Sequence, residues 1–342
     1  MKAALVTALG EPLSIGEVPT PKIGSDDVLI KVNFCGLCYS DVKVWTGKTR
    51  YKPALPHILG HEIAGTVVDA GKNVSGLSNR DRVIVYLYDT CGKCLFCSTG
   101  KENLCQNNGP LIGFNRAGGF AEYVSIPSKN VFRIPDNLNF SDAAILADAV
   151  LTPYHAIVDR AQVKFNETAV LIGMGGLALS GLQVLKLMGA RVIAVSRSES
   201  KLEMSRRFGA DHVINSKDAD FVQEVLRLTD GYGVDYVFDF VVNETTVDQG
   251  IRATKRGGKV MLLGYAMEPI PLNTGTMVAG FTTVQSSRAG TRQNLRDIIQ
   301  IASEGKLKSV LTREFALEEA NEALQLLKSG EITGRVGLRI EK

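Results

Sequence analysis

From about residue 166 onward the sequence alternates apolar runs with helical segments, and this rhythm constrains the fold more than any other feature. The runs TAVLIG, RVIAVS, VDYVFDFVV and KVMLLG alternate with helical segments such as LALSGLQVLKLMGA and ESKLEMSRRFGA. Strands that alternate with helices predict a parallel sheet with right-handed crossovers. This part of the chain is therefore predicted to be a doubly wound α/β domain.

The first part of the chain follows another pattern, because residues 1 to about 147 carry short β-type runs separated by glycine and proline. These runs are VLIKV at 28, IAGTVVDAG at 63, RVIVYLY at 82 and FAEYVSI at 120, and long helical patterns are scarce. Near the end, the helical pattern LEEANEALQLLKSG precedes another β-type run, RVGLRI. A length of 342 residues predicts about two domains.

Composition narrows the classes of protein that the chain can belong to. Hydrophobic residues make up 45% and charged residues 22%, which is typical of a globular protein. The formal net charge is only +3, and no block of lysine and arginine is present, so we expect no nucleic-acid or membrane partner. The segment MKAALVTALGEPLSIGEV lacks the apolar core of a signal peptide. We expect a cytoplasmic protein, in which stable disulfides are uncommon.

The sequence LIGMGGLA lies where the first strand of the α/β domain should end and a helix begin. Gly173 permits the tight turn, Gly175 lets the backbone approach a pyrophosphate, and Ala178 lets helix and strand pack closely. Gly173, Gly175, Gly176 and Leu177 are the predicted cofactor-binding residues, with the helix amino terminus facing the phosphates. The alternative is a tight turn without a ligand, but the position of this glycine motif at the head of a βαβ unit favours dinucleotide binding.

The end of the next strand indicates which dinucleotide binds. Proteins that bind NAD usually carry an acidic residue there, which accepts a hydrogen bond from the ribose 2′-hydroxyl. Here the sequence reads AVSRSESK and supplies Ser196 and Arg197 instead. A hydroxyl and a guanidinium can bind a 2′-phosphate that a carboxylate would repel, although an exposed arginine at a strand end is also common. We therefore predict NADP(H) in preference to NAD(H).

Four of the six cysteines lie together in CGKCLFCSTGKENLC, with the spacing C-x2-C-x2-C-x7-C. Such a cluster is either a metal site or a redox relay, and a cytoplasmic chain favours the metal. The other two are Cys35 and Cys38, which form a redox pair, two buried thiols or part of a second site. Further along, His61 and Glu62 follow each other in LPHILGHEIAG. A catalytic zinc needs three protein ligands and an open position, so these residues alone leave one ligand missing.

The motifs GLCYSD, GHEIAGTV, the cysteine cluster, GGFAEYV, LTPYHAI and GMGGLA occur in this order. Together they resemble the zinc-containing medium-chain alcohol dehydrogenases over nearly the whole chain. The resemblance implies an α/β fold in which a Rossmann domain, a doubly wound parallel sheet, is inserted into a mostly β, GroES-like catalytic domain. The change of rhythm places the boundaries near residues 148 and 287. The resemblance then implies that residues 1–148 and 288–342 form the catalytic domain and residues 149–287 the Rossmann domain.

The resemblance also implies a third ligand, because the family places a cysteine or an acidic residue just before the LTPYHAI stretch. Asp148 occupies that position here. Cys38, His61 and Asp148 would hold the catalytic zinc, with Glu62 as a transient ligand. Asp41 matches the carboxylate that, in the family, orients the histidine through the ring nitrogen that does not bind the metal.

Further roles follow from the same resemblance. A separate structural zinc would be held by four thiolates, so we expect two zinc ions per chain; these ligands are Cys91, Cys94, Cys97 and Cys105. Ser40 would carry the proton away from the alcohol, but Lys43 stands where many relatives have the histidine that completes this relay. Arg335 matches an arginine that contacts the cofactor, the alternative being a surface arginine at a turn.

The implied activity is a reversible hydride transfer between a primary or secondary alcohol and NADP(H), with an aldehyde or ketone as the oxidised product. The implied partners are a small-molecule substrate and further copies of the chain, in a tetramer rather than a dimer. One alternative is a polyol or amino-alcohol dehydrogenase of the same family that uses NAD(H). Another is a zinc-dependent regulatory protein that binds nucleic acid, but that function would need a basic face.

Overall fold

The structure is a computed structural model, and it describes residues 1–340. The chain divides into two compact units. Val150–Gly290 forms one unit, and residues 1–149 and 291–340 together form the other. In the described part of the chain, no helix has both the length and the apolar character needed to cross a membrane.

The strands follow one another along the chain as β1 (Lys2–Val6), β2 (Ser14–Glu17), β3 (Asp27–Gly36), β4 (His57–Ile58), β5 (Glu62–Ala70), β6 (Arg82–Val85), β7 (Tyr123–Pro127), β8 (Val131–Arg133), β9 (Thr168–Ile172), β10 (Arg191–Ser196), β11 (His212–Asn215), β12 (Val234–Asp239), β13 (Thr254–Leu262), β14 (Thr283–Ser286), β15 (Leu311–Ala316) and β16 (Arg335–Arg339).

The α-helices are α1 (Tyr39–Trp45), α2 (Leu95–Ser98), α3 (Phe140–Ile145), α4 (Leu151–His155), α5 (Gly176–Leu187), α6 (Glu199–Arg207), α7 (Phe221–Leu228), α8 (Glu244–Ala253), α9 (Thr274–Gly280), α10 (Arg292–Ser303) and α11 (Ala320–Ser329). Short 3₁₀ helices span Glu102–Leu104, Ser128–Asn130 and Leu317–Glu319. Two π-helical segments span Leu146–Val150 and Ala156–Ala161.

The Val150–Gly290 unit contains one parallel sheet with the strand order β11-β10-β9-β12-β13-β14. This order is that of the Rossmann fold, in which the chain starts in the middle and winds outward in both directions. β10 is buried at every residue except its first, as expected for a parallel strand with both faces covered. The structure thus confirms the predicted doubly wound α/β class.

Local signals in the sequence explain where the helices of this unit begin. The Asp220 carboxylate accepts hydrogen bonds from the first turn of α7, and the Asn243 amide oxygen does the same for α8. Between the helices and the sheet lies an apolar core in which Val170, Val237 and Val260 are fully buried. Capped helices on a branched aliphatic core make a stable base for the loops at the carboxyl edge of the sheet.

The other unit is built on a mixed sheet whose order, among the described residues, is β15-β16-β3-β5-β6-β8, with β7 also pairing with β3. All its pairings are antiparallel except that of β15 with β16. A smaller antiparallel sheet contains β2, β1 and β4. Because β16 pairs with β3, both ends of the chain contribute to this mostly β unit, as predicted.

The register of the mixed sheet brings distant residues together. In the antiparallel pair β3–β5, Gly36 lies opposite Glu62. On the other side of β3, Gly337 of β16 also lies opposite Gly36. The segments that continue from these strands, with Cys38 after β3 and His61 before β5, therefore lie side by side.

We expect Gly65→Ala to destabilise the protein, because Gly65 lies in β5 between β3 and β6. A Cβ atom there would collide with the backbone oxygen of Lys31 and would lie 2.8 Å from Cγ2 of Ile30. Overpacking of this kind costs about 1 to 3 kcal/mol in the free energy of unfolding. Denaturation in urea would measure the loss.

Gly16→Ala in β2 is the matched control, since a Cβ atom there meets no atom within 4 Å. Equal unfolding midpoints for the two variants would contradict this account of the sheet.

Candidate active site

The mixed sheet gathers one group of candidate metal ligands at the end of β3. The ligand atoms of Cys38, His61, Glu62 and Asp148 all lie within 4.8 Å of one another. The first three side chains are buried, and Asp148 is partly buried. The structure thus brings together the four residues that the sequence and the family resemblance predicted around a catalytic zinc.

Asp148 reaches this group from the π-helical segment Leu146–Val150. Its Oδ2 lies 3.6 Å from Nε2 of His61. Zinc binds nitrogen and oxygen at about 2.0 to 2.2 Å, so two of its tetrahedral ligands lie about 3.4 Å apart. The gap between these two side chains therefore fits a zinc ion, and π-helical segments occur frequently at functional sites.

Asp41 holds the imidazole of His61 in place from the opposite side. Its carboxylate is completely buried, and Oδ1 lies 3.1 Å from Nδ1 of His61. The other oxygen, Oδ2, accepts the backbone N–H of Cys38 at 2.8 Å. One carboxylate thus fixes both the ring of His61 and the backbone at Cys38, as expected for a carboxylate–histidine–metal arrangement.

The electrostatics of this group favour a cation. Burial alone would lower the pKa of His61, but the charge of Asp41 and the hydrogen bonds to Asp148 and Asp41 raise that pKa well above its ordinary value. This raised pKa favours the protonated, positively charged imidazole when no metal is bound, because negative charge surrounds the ring. A dication bound at Nε2 would take the place of that proton.

Glu62 forms a buried ion pair with Arg335, which is only 5% exposed. Oε2 of Glu62 and Nε of Arg335 have no hydrogen-bond partner among the described residues. Buried polar atoms are normally paired, so an unpaired carboxylate oxygen inside a ligand group suits a passing contact with a metal ion. The family resemblance predicted that Arg335 contacts the cofactor; the structure places its guanidinium on Glu62, and the cofactor contact stays a prediction.

Helix α1 carries Ser40 and Lys43, the two positions that the family resemblance links to proton transfer. Oγ of Ser40 is 3.5 Å from Sγ of Cys38, so this hydroxyl lies at the edge of the ligand group. Lys43 is half-buried, and burial lowers its pKa. Its Nζ lies 5.8 Å from the centre of the Tyr39 ring.

Phe114 is a neighbour of the site that no motif indicated. Its ring centre lies 4.9 Å from that of His61, and the Tyr51 ring packs edge-on against Phe114 at 5.3 Å. The Phe114 side chain is almost fully buried and shields the imidazole from water. Its loop is far from His61 in the sequence, so only the folded chain reveals the contact.

The four remaining cysteines form a second group in the same unit. Their sulfurs lie 3.6 Å apart for Cys94 and Cys97, 3.9 Å for Cys91 and Cys97, and 3.9 Å for Cys94 and Cys105. All four thiols are free. A disulfide would bring two sulfurs to about 2.0 Å, whereas a zinc tetrahedron with bonds of 2.3 Å separates them by about 3.8 Å. The geometry therefore fits a closed four-thiolate zinc site.

The thiols of this group share their protons unequally. The backbone N–H of Cys97 lowers the pKa of Cys94 to about 6. Burial and the neighbouring thiols raise the pKa of Cys97 to about 12. Four thiolates repel one another at this distance, so full ionisation of the group requires a cation among them.

The predicted dinucleotide turn lies at the carboxyl end of β9 in the Rossmann unit. Gly173 has φ +86° and its N–H donates to Val195 at 3.0 Å, so the turn needs glycine there. A Cβ at Gly175 would meet no protein atom within 4 Å, which leaves open space for a ligand against the backbone. Gly176 and Leu177 open α5, whose first turn has no side-chain cap among the described residues. Its N–H groups remain available to a phosphate.

At the end of β10, Ser196 lies beside Asn215 of β11, and neither residue carries a charge. Oγ of Ser196 accepts the backbone N–H of Ser198 at 3.2 Å. Arg197 is exposed. The strand end thus presents a hydroxyl and a guanidinium where NAD-binding proteins usually present a carboxylate.

Two protein-family models match the chain, one in each half of the sequence. Residues 24–136 match the family described as Alcohol dehydrogenase GroES-like domain, and residues 176–304 match the family described as Zinc-binding dehydrogenase. An alcohol dehydrogenase of Geobacillus stearothermophilus is 35% identical over 342 residues, covering all of both chains. The NAD-dependent alcohol dehydrogenase of Sulfolobus acidocaldarius is 33% identical, covering 99% of this chain and all of the relative.

A solved structure resembles the whole chain as well. The crystal structure of an NAD-dependent alcohol dehydrogenase superposes with a TM-score of 0.94 and 32% sequence identity, covering all of both chains. A GroES-like domain combined with a Rossmann domain and zinc ligands defines a class of two-domain oxidoreductases. The chain belongs to the zinc-containing medium-chain alcohol dehydrogenase family.

We expect Cys97→Ala to remove one of the zinc ions that the two ligand groups would hold. Elemental analysis should give about one zinc fewer per chain than in the unmodified protein. Thermal stability should fall because the four-cysteine segment loses its closure. Cys35→Ala is the control, since this buried thiol belongs to neither group and its loss should leave the zinc content unchanged. Undiminished zinc in Cys97→Ala would rule out the four-cysteine site.

Proposed function

We propose that this alcohol dehydrogenase interconverts a primary or secondary alcohol with its aldehyde or ketone and uses NADP(H) as the hydride carrier. The observation that carries the proposal is the ligand group of Cys38, His61 and Asp148, which Asp41 orients through His61. These three side chains would hold the catalytic zinc and leave a fourth position for the substrate. The four-cysteine group would hold a structural zinc, which needs no open position.

The zinc and the protein chain would each supply a different part of the chemistry. Zinc, when bound, supplies Lewis acidity that makes an alcohol hydroxyl easier to deprotonate near neutral pH. The chain supplies the orientation: Asp41 keeps Nε2 of His61 directed at the ligand group, and Phe114 covers the ring. With this carboxylate on Nδ1, the ring keeps a single orientation and its Nε2 is the more basic donor.

Ser40 is the proposed acceptor of the alcohol proton, since its hydroxyl lies beside the Cys38 thiol. A hydroxyl can accept this proton only while it passes its own proton onward. The half-buried Lys43, on the same helix, lies in place of the histidine found in many relatives. A lowered pKa leaves a larger fraction of the lysine amine neutral than in an ordinary lysine, and only the neutral amine can accept a proton, so we propose Lys43 as the next group in this relay.

A substrate panel tests the function as a whole. Primary alcohols, secondary alcohols, polyols, amino-alcohols and the matching carbonyl compounds would be assayed with both nicotinamide cofactors, alongside zinc analysis of the same preparation. The proposal expects the highest kcat/KM for a simple alcohol or its carbonyl partner. A polyol or amino-alcohol as the best substrate, with NAD(H), would favour the alternative enzyme of the same family.

We expect His61→Ala and Asp148→Ala to lower kcat/KM by at least about a hundredfold, since each removes a zinc ligand. Cofactor affinity, measured by fluorescence titration, should change little because Gly173 and Gly175 belong to the other unit. Asp136→Ala is the control, since this carboxylate is fully exposed. Near-normal turnover in the His61 and Asp148 variants would show that the ligands are wrongly assigned.

The cofactor preference rests on the end of β10. Ser196 offers no charge, and the exposed guanidinium of Arg197 is free to turn toward a 2′-phosphate. Arginine can both bind a phosphate and lie against the adenine ring, which lysine cannot reproduce. The relative from Sulfolobus acidocaldarius is named as NAD-dependent, so this preference would distinguish the present protein from that relative.

We expect the unmodified enzyme to favour NADP(H) over NAD(H) by about tenfold or more in kcat/KM. One hydrogen bond to a charged group contributes about 1.5 to 3 kcal/mol, or roughly 10- to 150-fold in affinity. Ser196→Asp combined with Arg197→Leu should reverse the order, because it adds a repelling carboxylate and removes the phosphate donor.

Arg191→Leu is the matched control, since Arg191 is also exposed but lies at the opposite end of β10. This variant should keep the preference of the unmodified enzyme. Equal efficiency with both cofactors, or a preference for NAD(H) in the unmodified enzyme, would refute the assignment. The tetrameric state, which the family resemblance implies, and the cytoplasmic location both stay predictions.

A further inference from the structure

The segment of residues 91–105, here called the cysteine lobe, has little apolar core of its own. Its helix α2 has no buried residue, and Leu95 is 73% exposed. In the short 3₁₀ helix that follows, Leu104 is 48% exposed and the single buried side chain is that of Glu102. A carboxylate, rather than an apolar group, therefore faces inward, so polar contacts have to hold the lobe on the rest of the unit.

Arg292, which lies outside the lobe, contacts both Thr90, directly before the lobe, and Glu102, near its carboxyl end. The backbone N–H of Arg292, the first residue of α10, donates to Oε1 of Glu102. Its guanidinium donates to Oγ1 of Thr90 at 2.8 Å and to Oδ1 of Asn130 at 3.4 Å. Thr90 directly precedes Cys91, and Glu102 comes shortly before Cys105.

The surroundings make these bonds costly to lose. Thr90 and Asn130 are completely buried, and Glu102 is 6% exposed, so water cannot readily replace Arg292 as a donor. The Arg292 guanidinium also lies 5.5 Å from the centre of the Tyr86 ring. A carboxylate at the amino terminus of α10 is further favoured by the helix dipole.

Asn130 extends the same network toward the start of the lobe. Its side-chain amide donates to the backbone oxygens of Tyr86 and Tyr88 at 2.7 and 2.9 Å. These residues belong to the stretch that leads from β6 into Cys91. Arg292 is thus joined directly to Thr90 and Glu102, and through the amide of Asn130 to the stretch that precedes the lobe.

We propose that Arg292 is the positioning residue of the cysteine lobe and that it limits how readily the lobe releases its metal. A thiolate site loses its ion when the ligands move apart, and residues 90 and 102 bracket most of the lobe. Arg292 keeps these two points at a constant separation. The inference rests on the proposed structural zinc, because it assigns Arg292 a role toward that ion.

The test measures zinc release from the whole protein with a chromogenic chelator. Release should occur in two phases, and the phase that is missing in Cys97→Ala belongs to the lobe. Arg292→Gln removes the bonds to Thr90 and Asn130, and we expect it to speed the lobe phase by about tenfold or more, equivalent to about 1.4 kcal/mol. The other phase should keep its rate, which a general loss of stability would not allow.

Arg296→Gln is the matched control, because Arg296 lies one turn further along α10 and stacks on Phe132 without a contact to the lobe among those described. It should leave both phases unchanged. Arg292→Lys, which keeps the charge but offers a single donor group, should give an intermediate rate. If Arg292→Gln does not fold, Thr90→Val replaces it, since this change removes one acceptor at nearly constant volume.

The outcomes separate this inference from the proposed function. An unmodified protein without a lobe phase would refute the structural zinc itself, and the inference with it. A normal lobe phase that stays unchanged in Arg292→Gln, or in Thr90→Val, would overturn the role of Arg292 alone. Equal acceleration of both phases would also overturn it, because it would mean that Arg292 stabilises the unit rather than the lobe.

Discussion

The register of β3 against its two neighbours is the constraint on which the candidate active site depends. Because Gly36 lies opposite both Glu62 and Gly337, strands from three distant parts of the sequence meet at one point. A Cβ at Gly36 would collide with the Glu62 carboxylate, so only glycine fits at this position between the two strands. A shift by one residue would turn each side chain to the other face of the sheet and separate Cys38 from His61.

The site that results concentrates charge in a buried place. Asp41 and Glu62 are completely buried, and Arg335 compensates only one of them. Buried charges are tolerated where they are paired or bind metal, and here the neighbouring carboxylates raise the pKa of His61, which favours a positive charge on its ring. The same surplus of negative charge that raises the pKa of His61 provides the attraction for a dication. The cysteine lobe differs, because its thiols are only partly buried and would need an ion chiefly for closure.

Much of the fold could be predicted because its signals are local. The apolar runs at β3, β5, β9 and β10 and the helical pattern at α11 lie where the sequence placed them. Short elements were missed, among them β4, β11 and β14, because two to four residues carry too little periodicity to recognise. The π-helical segment that carries Asp148 could not be predicted either, since a π turn has no sequence signature of its own.

By itself, the sequence determined the class of fold, the glycine turn between β9 and α5 and the spacing of the four cysteines, because each depends on residues close together in the chain. The family resemblance added Asp148 as a ligand. Only the tertiary structure decided that Arg335 pairs with Glu62 and that Phe114 covers His61. These contacts join residues that strand pairing and loop packing bring together, and no local pattern in the chain encodes such distances.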